Sequence, residues 1–381
     1  MIGLVTTCLQ RGGAEQQLRQ LAIDLAAIGE DVSVLSLMKP TAHVNALQSG
    51  GVRVETLCLQ RGLSGVGLSA WSSYVRWIRE REIKVGLFFN FHPMVLGRLS
   101  WKTGVLKHVV CSIRNERFGG RLRERLVRCS DGWCSVTTTN SEVAAESLER
   151  RAVVRPNTLR IVRNGVDMDR FKLEECTKEA VRRQLGISVE EFVWLSAGRL
   201  EKQKDFERLI TAFGVVLERG HRGKLLIAGE GSRRDALQSL ISKLGIRSSC
   251  QLLGEREDLP CLMRAADAFV LSSAWEGLPN VLIEAQVSGL PVLATNVGGV
   301  REIVRNSVSG ILVTPENCEE LANGLIRMQL AGTAKLRGMG VEGRDFSLSR
   351  FSRRAAFEQW LAVIRESGYE FEGDLSGLRG N

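Results

Sequence analysis

The 381-residue chain lacks any run approaching the eighteen or so uncharged apolar residues that a membrane-spanning helix needs. The nearest, VGLFFNFHPMVLG, is short and carries Asn90 and His92. No Cys-x-x-Cys occurs among the nine scattered cysteines, so neither a zinc site nor a disulfide framework is expected, and a reducing cytosol is the natural home. The opening MIGLVTTCLQRGG has no basic segment ahead of its apolar part; it reads as a first strand and not as a signal peptide. With only two tyrosines, little could interleave with basic residues on a nucleic-acid surface. A complete G-x-G-x-x-G with a downstream acidic residue is also missing, which argues against a nicotinamide oxidoreductase.

What is present is an ordinary globular composition, 44% apolar and 25% charged, in a chain long enough for two domains. The net charge of +9 is lopsided. Residues 1–165 hold 23 Lys and Arg against 13 Asp and Glu, whereas the remainder holds 29 against 30. An anionic partner is therefore expected at the N-terminal half: nucleic acid, an anionic membrane surface or a phosphate-bearing substrate.

Short apolar runs alternate with amphipathic stretches of helical length. IGLVTT, DVSVLSL, KVGLFF, KHVVCSI and GWCSVTT read as strands, and GAEQQLRQLAIDLAAIG as a helix ending at Gly29. After Asn164 the alternation restarts with EFVWLSAG, KLLIAGEG, CQLLGE, AFVLSS, LPVLAT and GILVT. Repeated strand–helix units mean parallel sheets covered by helices on both faces. The expected fold is α/β, two doubly wound Rossmann-like domains with a ligand cleft between them. The expected boundaries are 1–165, 166–350, and a C-terminal helix over 351–381 that returns to the first domain, with a tail frayed from Ser367.

AWEGLPNVLIEAQVSGLPVLAT, residues 274–295, sets Glu276 in a turn and Glu284 inside an apolar run. Pro279 is expected at the first position of a helix that Gly289 ends. Backbone N–H groups at that helix start can hold a phosphate, leaving the two carboxylates to accept hydroxyl hydrogen bonds on its two sides. The spacing equally allows a plain helix with one surface and one turn glutamate. In SAGRLEKQKDFERLITAF, Arg199 and Lys204 follow a strand end, where two cations can neutralise a diphosphate or simply face solvent. Gly12 and Gly13, between the first strand and helix, permit close approach to a phosphate or form a simple turn. LLIAGEGSRRDAL resembles half of a dinucleotide fingerprint. His92 precedes Pro93 and is expected in a strand-end loop, where functional groups collect; a packed histidine is the alternative. Asp167 and Asp169 in DMD lack a third ligand at metal spacing and are rejected as a metal site. Arg114, Arg117, Arg121, Arg123, Arg125 and Arg128 could face anionic headgroups or a carrier pyrophosphate, or form a solvated helix face.

GGAEQQLRQLA, RIVRNGVDMDRF, AGRLEKQKDFERLITAF, LLIAGEG, AADAFVLSSAWEGLPNVLIEA and GLPVLATNVGGVREIV occur in an order that resembles the retaining glycosyltransferases of family 4. The likeness is strong over 160–315, clear at 8–22 and faint across 35–130, where the acceptor usually binds. It implies the GT-B fold and transfer of a sugar from a nucleotide diphosphate sugar to a saccharide or polyprenyl-diphosphate-linked saccharide, with retained configuration. UDP-sugars are favoured over GDP-sugars as donors. The resemblance places Gly12 and Gly13 near the donor diphosphate, His92 near the reacting centre, and Arg199 and Lys204 on the diphosphate leaving group. Glu276 would contact sugar hydroxyls, the backbone of Gly277, Leu278 and Pro279 would lie by sugar and phosphate, Glu284 would grip the ribose, and Arg256 would lie near the base. No carboxylate is placed as a double-displacement nucleophile, so a front-face route without metal or other cofactor is implied.

The basic N-terminal half adds an expectation of peripheral contact with an anionic membrane at its cytoplasmic face, and none of nucleic acid, in polysaccharide or glycolipid assembly. The rivals are a nucleotide-sugar epimerase on the same scaffold and a basic anion- or nucleic-acid-binding protein without catalysis. A glycosidase needs carboxylates flanking one bond from separate elements, which this spacing does not provide.

Overall fold

The computed structural model describes residues 1–59, 68–114, 118–156, 158–171 and 176–372. The chain divides into two compact units, Met1–Gly165 with Arg354–Asn381, and Val166–Arg353.

The first unit is a seven-stranded sheet of β1 (Ile2–Thr6), β2 (Val32–Ser36), β3 (Arg53–Thr56), β4 (Val85–Phe89), β5 (His108–Ile113), β6 (Val136–Thr139) and β7 (Leu159–Ile161). All pairings are parallel and the order is β3-β2-β1-β4-β5-β6-β7. Buried on both faces, β1 and β4 read as near-continuous apolar runs and not as alternating ones, while β2 buries Ser33 and Ser36 among its apolar residues. Successive side chains still point to opposite faces: Leu4 joins the cluster with Leu18, Leu21 and Trp360, while Val5 joins the one with Tyr74, Trp77 and Phe88.

The helix Arg353–Glu366 supplies Phe357, Trp360, Leu361 and Ile364 to the first of these clusters. The segment after it, expected to fray, is tied down as far as Glu372. Tyr369 Oη donates to Glu30 Oε2 at 2.7 Å, the Glu372 amide donates to Glu30 Oε1 at 2.6 Å, and His108 Nδ1 lies 2.8 Å from Ser367 O. Residues 373–381 of the expected frayed tail lie outside the described residues.

The second unit holds β8 (Val193–Ala197), β9 (Lys224–Ala228), β10 (Cys250–Gly254), β11 (Ala268–Leu271), β12 (Val292–Thr295) and β13 (Gly310–Val313), all parallel, in the order β10-β9-β8-β11-β12-β13. Its sheet faces pack into two clusters, with Trp194 in one and Leu195 in the other. In each unit the chain direction across the sheet reverses once, between β1 and β4 and between β8 and β11. Crevices outside the carboxyl ends of such strand pairs are where doubly wound sheets bind ligands.

The expectation of no disulfide is overturned: Cys176 and Cys261 are bonded, 85 residues apart. The helices Lys178–Gln184 and Leu259–Ala265 that follow and contain them pack together, a proximity that sequence spacing does not reveal. Among the described residues no helix is long and apolar enough to cross a membrane, and no group of three His, Cys, Asp or Glu could hold a metal ion.

Candidate functional site

In the second unit two loops meet at the β8–β11 reversal. The loop after β8 runs Gly198–Lys204 into a short 3-10 turn, and Asp205, with φ of +47°, redirects the chain into the helix Phe206–Glu218. The loop after β11 carries Ser272, Ser273 and Glu276 ahead of the helix Asn280–Val287. Ser272 Oγ donates to Lys204 O at 2.8 Å and the Ala274 amide to Gln203 O at 2.9 Å, which clips the loops together.

Lys204 and Glu276 form the centre of this junction. Lys204 Nζ lies 2.5 Å from Glu276 Oε1, the two side chains being 14% and 7% exposed. Ser273 Oγ donates to the same oxygen at 2.6 Å, and Gln203 Nε2 to Oε2 at 3.3 Å and to Trp275 O at 3.0 Å. A carboxylate removed from water needs such partners. Glu276 is thereby held in one position at the site, and Lys204 is kept from swinging into solvent.

The glycines of LLIAGEG have a role other than a dinucleotide turn. A Cβ on Gly229, where φ is +142°, would sit 1.9 Å from Gly198 O; one on Gly231 would sit 2.5 Å from Leu200 O. The β9 loop thus presses on the backbone that presents Arg199, and the Leu200 amide donates to Glu230 O at 2.8 Å. Gly298 does the same for the other loop: with φ of +48°, its Cβ would lie 2.0 Å from Glu276 O. The Gly299 amide then donates to Gly277 O at 2.7 Å. Gln203, Ser273, Gly298 and Gly299 were not singled out from the sequence; the one available signal was the Gly-Gly pair in TNVGGVREIV, directly after a strand.

The remaining second-unit residues are spread around this junction. Arg199 is exposed at the strand end. Glu284 is 5% exposed on the helix Asn280–Val287. Pro279 is the N-cap of that helix, one position before the expected first turn, with φ of −75° and ψ of 109°. Leu278 turns its side chain into the core, so it offers the site only backbone. Arg256 is not brought to the junction. It follows β10 at the sheet edge, is exposed, and makes a two-pronged pair with Asp258 at 2.8 and 2.6 Å.

In the first unit, Gly12 is the N-cap of the helix Gly13–Ala27 in extended conformation. Gln17 of that helix exchanges two buried hydrogen bonds with Gly165, at 2.7 and 2.9 Å. His92 lies in the first turn of the helix Phe91–Lys102 and not in a loop: Asn90, at φ of +73°, makes the bend alone and the helix begins at once. His92 is held below its ordinary pKa by burial and by Arg123, so its ring is neutral at pH 7. It lines a cavity of about 170 Å³ at the carboxyl ends of β1, β4 and β5, shared with Thr7, Asn90, Arg114, Phe118 and Arg123.

Arg114 does not belong to the expected basic helix face, because it directly follows β5 and is 8% exposed. That helix begins at Arg121 and runs to Cys129, and its Arg128 donates to Ala152 O and Arg151 O at 2.6 and 2.7 Å. Arg117 of the expected basic face lies outside the described residues.

Two family models match the chain: Glycosyltransferase Family 4 over residues 11–170 and Glycosyl transferases group 1 over residues 177–338. A glycosyltransferase of Methanocaldococcus jannaschii described as uncharacterized is 37% identical over 174 residues, 45% of this chain and 44% of that protein's length. A D-inositol 3-phosphate glycosyltransferase of Saccharomonospora viridis is 27% identical, covering 95% of this chain and 91% of the relative. Among solved structures, Anabaena HepE in complex with UDP and glucose superposes with a TM-score of 0.84 at 23% identity, covering 96% of this chain and 99% of that one. This last likeness shows the fold, two Rossmann-like domains of the GT-B class.

Proposed function

Because the chain belongs to the glycosyltransferases, with a family 4 N-terminal half and a group 1 C-terminal half, we propose that it transfers a sugar from a nucleotide diphosphate sugar to a saccharide or lipid-linked saccharide with retained configuration. The observation that carries this reading is the clasp of Lys204 and Glu276 at the sheet reversal, beside the start of the helix Asn280–Val287. A diphosphate entering there exchanges the Glu276 carboxylate for its own oxygens on Lys204, releasing Glu276 towards the sugar hydroxyls. Arg199, exposed at the adjacent strand end, takes the remaining phosphate charge. Glu284, one helical turn further in, accepts from the ribose hydroxyls.

The leaving diphosphate is stabilised by these fixed cations and by helix N–H groups, which is electrostatic catalysis by preorganised donors. The scheme calls for no metal ion. Glu276 is anchored by three donors and serves as a hydrogen-bond acceptor, not a nucleophile, so the acceptor hydroxyl attacks on the face the diphosphate leaves. His92, neutral at pH 7, is assigned to the reacting sugar from the first unit. Gly12 and Gly13 are assigned to the diphosphate, and Arg256 to the base only after release from Asp258. UDP-sugars are the favoured donors. HepE, solved with UDP and glucose, supports that choice. The basic surplus of residues 1–165 supports an acceptor presented at an anionic membrane surface in glycolipid or polysaccharide assembly.

A thermal-shift panel of UDP, GDP, ADP and their sugar conjugates tests the reading against Glu284→Ala. A ligand at 100 times its Kd stabilises by about 2.7 kcal/mol. One nucleotide class should raise the wild-type Tm and lose that effect in the variant. Stabilisation by none, with no turnover, would remove the transferase assignment.

A further inference from the structure

The cavity lined by His92 contains a charge that nothing among the described residues neutralises. Arg114 Nη1 donates to Asn164 Oδ1 at 2.8 Å. Its Nε and Nη2 are buried and have no hydrogen-bond partner among the described residues. Burial brings its pKa down to about 10, and the group stays charged at neutral pH. The rings of Phe89 and Trp360, each 5.4 Å from the guanidinium carbon, stabilise the cation only in part. A buried cation without a counter-charge costs several kcal/mol, and buried donors rarely go unmet.

Nε and Nη2 form one edge of the guanidinium fork, the edge that takes two oxygens of an oxyanion side by side. Arg123 lines the same cavity, its Nη1 on Phe118 O at 3.2 Å and its guanidinium carbon 5.0 Å from the Phe91 ring. The first turn of the twelve-residue helix Phe91–Lys102 adds the positive end of its dipole through Asn90, Phe91 and His92. Two positions before Arg114, Ser112 pairs in register with Thr138, and both hydroxyls are buried without a partner. Unmet polar groups therefore concentrate at this end of the sheet.

We propose that this cavity seats a phosphate group carried by the acceptor, gripped by the Nε–Nη2 edge of Arg114 with Arg123 beside it. The inference rests on the transferase reading and names what that reading leaves open, the chemical class of the acceptor: a sugar bearing a phosphate, whether free or as a lipid diphosphate. Two arginines and, among the described residues, no carboxylate line the cavity, which suits a phosphate dianion better than a single carboxylate.

The test is calorimetric titration of inorganic phosphate into the full chain, saturated with the nucleotide selected by the thermal-shift panel so that the Arg199–Lys204 loop is occupied. Wild type should bind one phosphate, and Arg114→Met at least tenfold more weakly, which is 1.4 kcal/mol. In phosphate-free buffer the Tm of Arg114→Met should hold or rise, because a buried uncompensated charge has been removed. A lower Tm with undiminished phosphate affinity would give Arg114 a structural role and overturn the proposal. Arg114→Lys keeps the charge and loses the fork; full affinity in that variant overturns it as well.

Absence of phosphate binding with nucleotide binding intact sinks this inference alone. Failure of the nucleotide panel counts against the transferase reading, and the comparison of wild type with Arg114→Met still reads the phosphate site. Competition against bound phosphate by a soluble hexose phosphate in one arm, and by vesicles carrying a polyprenyl-diphosphate saccharide in the other, distinguishes the two sources; displacement by neither counts against an acceptor phosphate.

Discussion

Replacing Glu276 by Gln removes one charge from the Lys204 clasp while keeping the side chain's shape. Breaking a buried ion pair by deleting one partner costs about 3–5 kcal/mol. Lys204 is 14% exposed, and the new amide oxygen can still accept from Ser273, so the cost should fall below that range, at about 2–3 kcal/mol. For a unit of this size that is a fall in Tm of about 4–12 °C. The informative part is the response to nucleotide. In wild type the diphosphate must displace a carboxylate from Lys204, whereas in Glu276→Gln it supplies the missing negative charge. The variant should therefore show a larger nucleotide-induced rise in Tm than wild type, from a lower starting point. Turnover should move the other way: losing a charged hydrogen bond to a sugar hydroxyl, about 1.5–3 kcal/mol, lowers kcat/KM about 10- to 150-fold. Differential scanning fluorimetry with and without UDP, alongside a donor-consumption assay, reads both quantities. A variant as stable as wild type, with an equal nucleotide shift, would refute the idea that Lys204 and Glu276 hold each other until the diphosphate arrives.

Two further outcomes follow from the loops and from one histidine. Gly229→Ala puts a Cβ 1.9 Å from Gly198 O at a φ of +142°; strain and overpacking together should cost about 2–6 kcal/mol. Urea denaturation should show that loss and nucleotide affinity should weaken as the Arg199 loop shifts, while unchanged values for both would mean the loops are not pressed together in solution. His43 is lowered to about 4, by burial first, then by Arg19 and Arg11, against a backbone hydrogen bond with Gln10. Its folded-state pKa lies below the unfolded value of 6.5, so the unfolded chain takes up the proton first. The associated stability is full above pH 6.5 and is lost as pH falls towards 4. His43→Gln should flatten the stability profile across that window in denaturant titrations at successive pH values; an unchanged slope would refute the assignment.

What the sequence made legible was local. Strands buried on both faces announce themselves as apolar runs, and Glu276, Pro279 and Glu284 lie within one turn and one helix of each other. The edge strand β3, whose residues RVET are half or fully exposed, and the three-residue β7 carry no such run and were not read. The supports of the site depend on contacts far along the chain. Gln203 and Ser273 reach Glu276 because β8 and β11 are neighbours, and Gly229 matters only because another loop lies against it. Arg114 stands apart from the basic helix because that helix begins only at Arg121, while the neighbours of Arg114 in space are Phe89, Trp360 and Asn164.

The helix Arg353–Glu366 completes a unit that the rest of the chain began, so the second unit is an insertion within the first. On the ribosome this fixes an order of events. The sheet of residues 1–165 emerges with the places of Phe357, Trp360 and Ile364 unfilled, and at roughly 5–20 residues per second it waits some 10–40 s for them. The second unit, contiguous in sequence, can finish its own core in that interval. Newborn chains thus pass through a stage with one finished half and one open apolar face, the stage at which a chaperone would engage them. Loss of the last thirty or so residues would hold the protein at that stage.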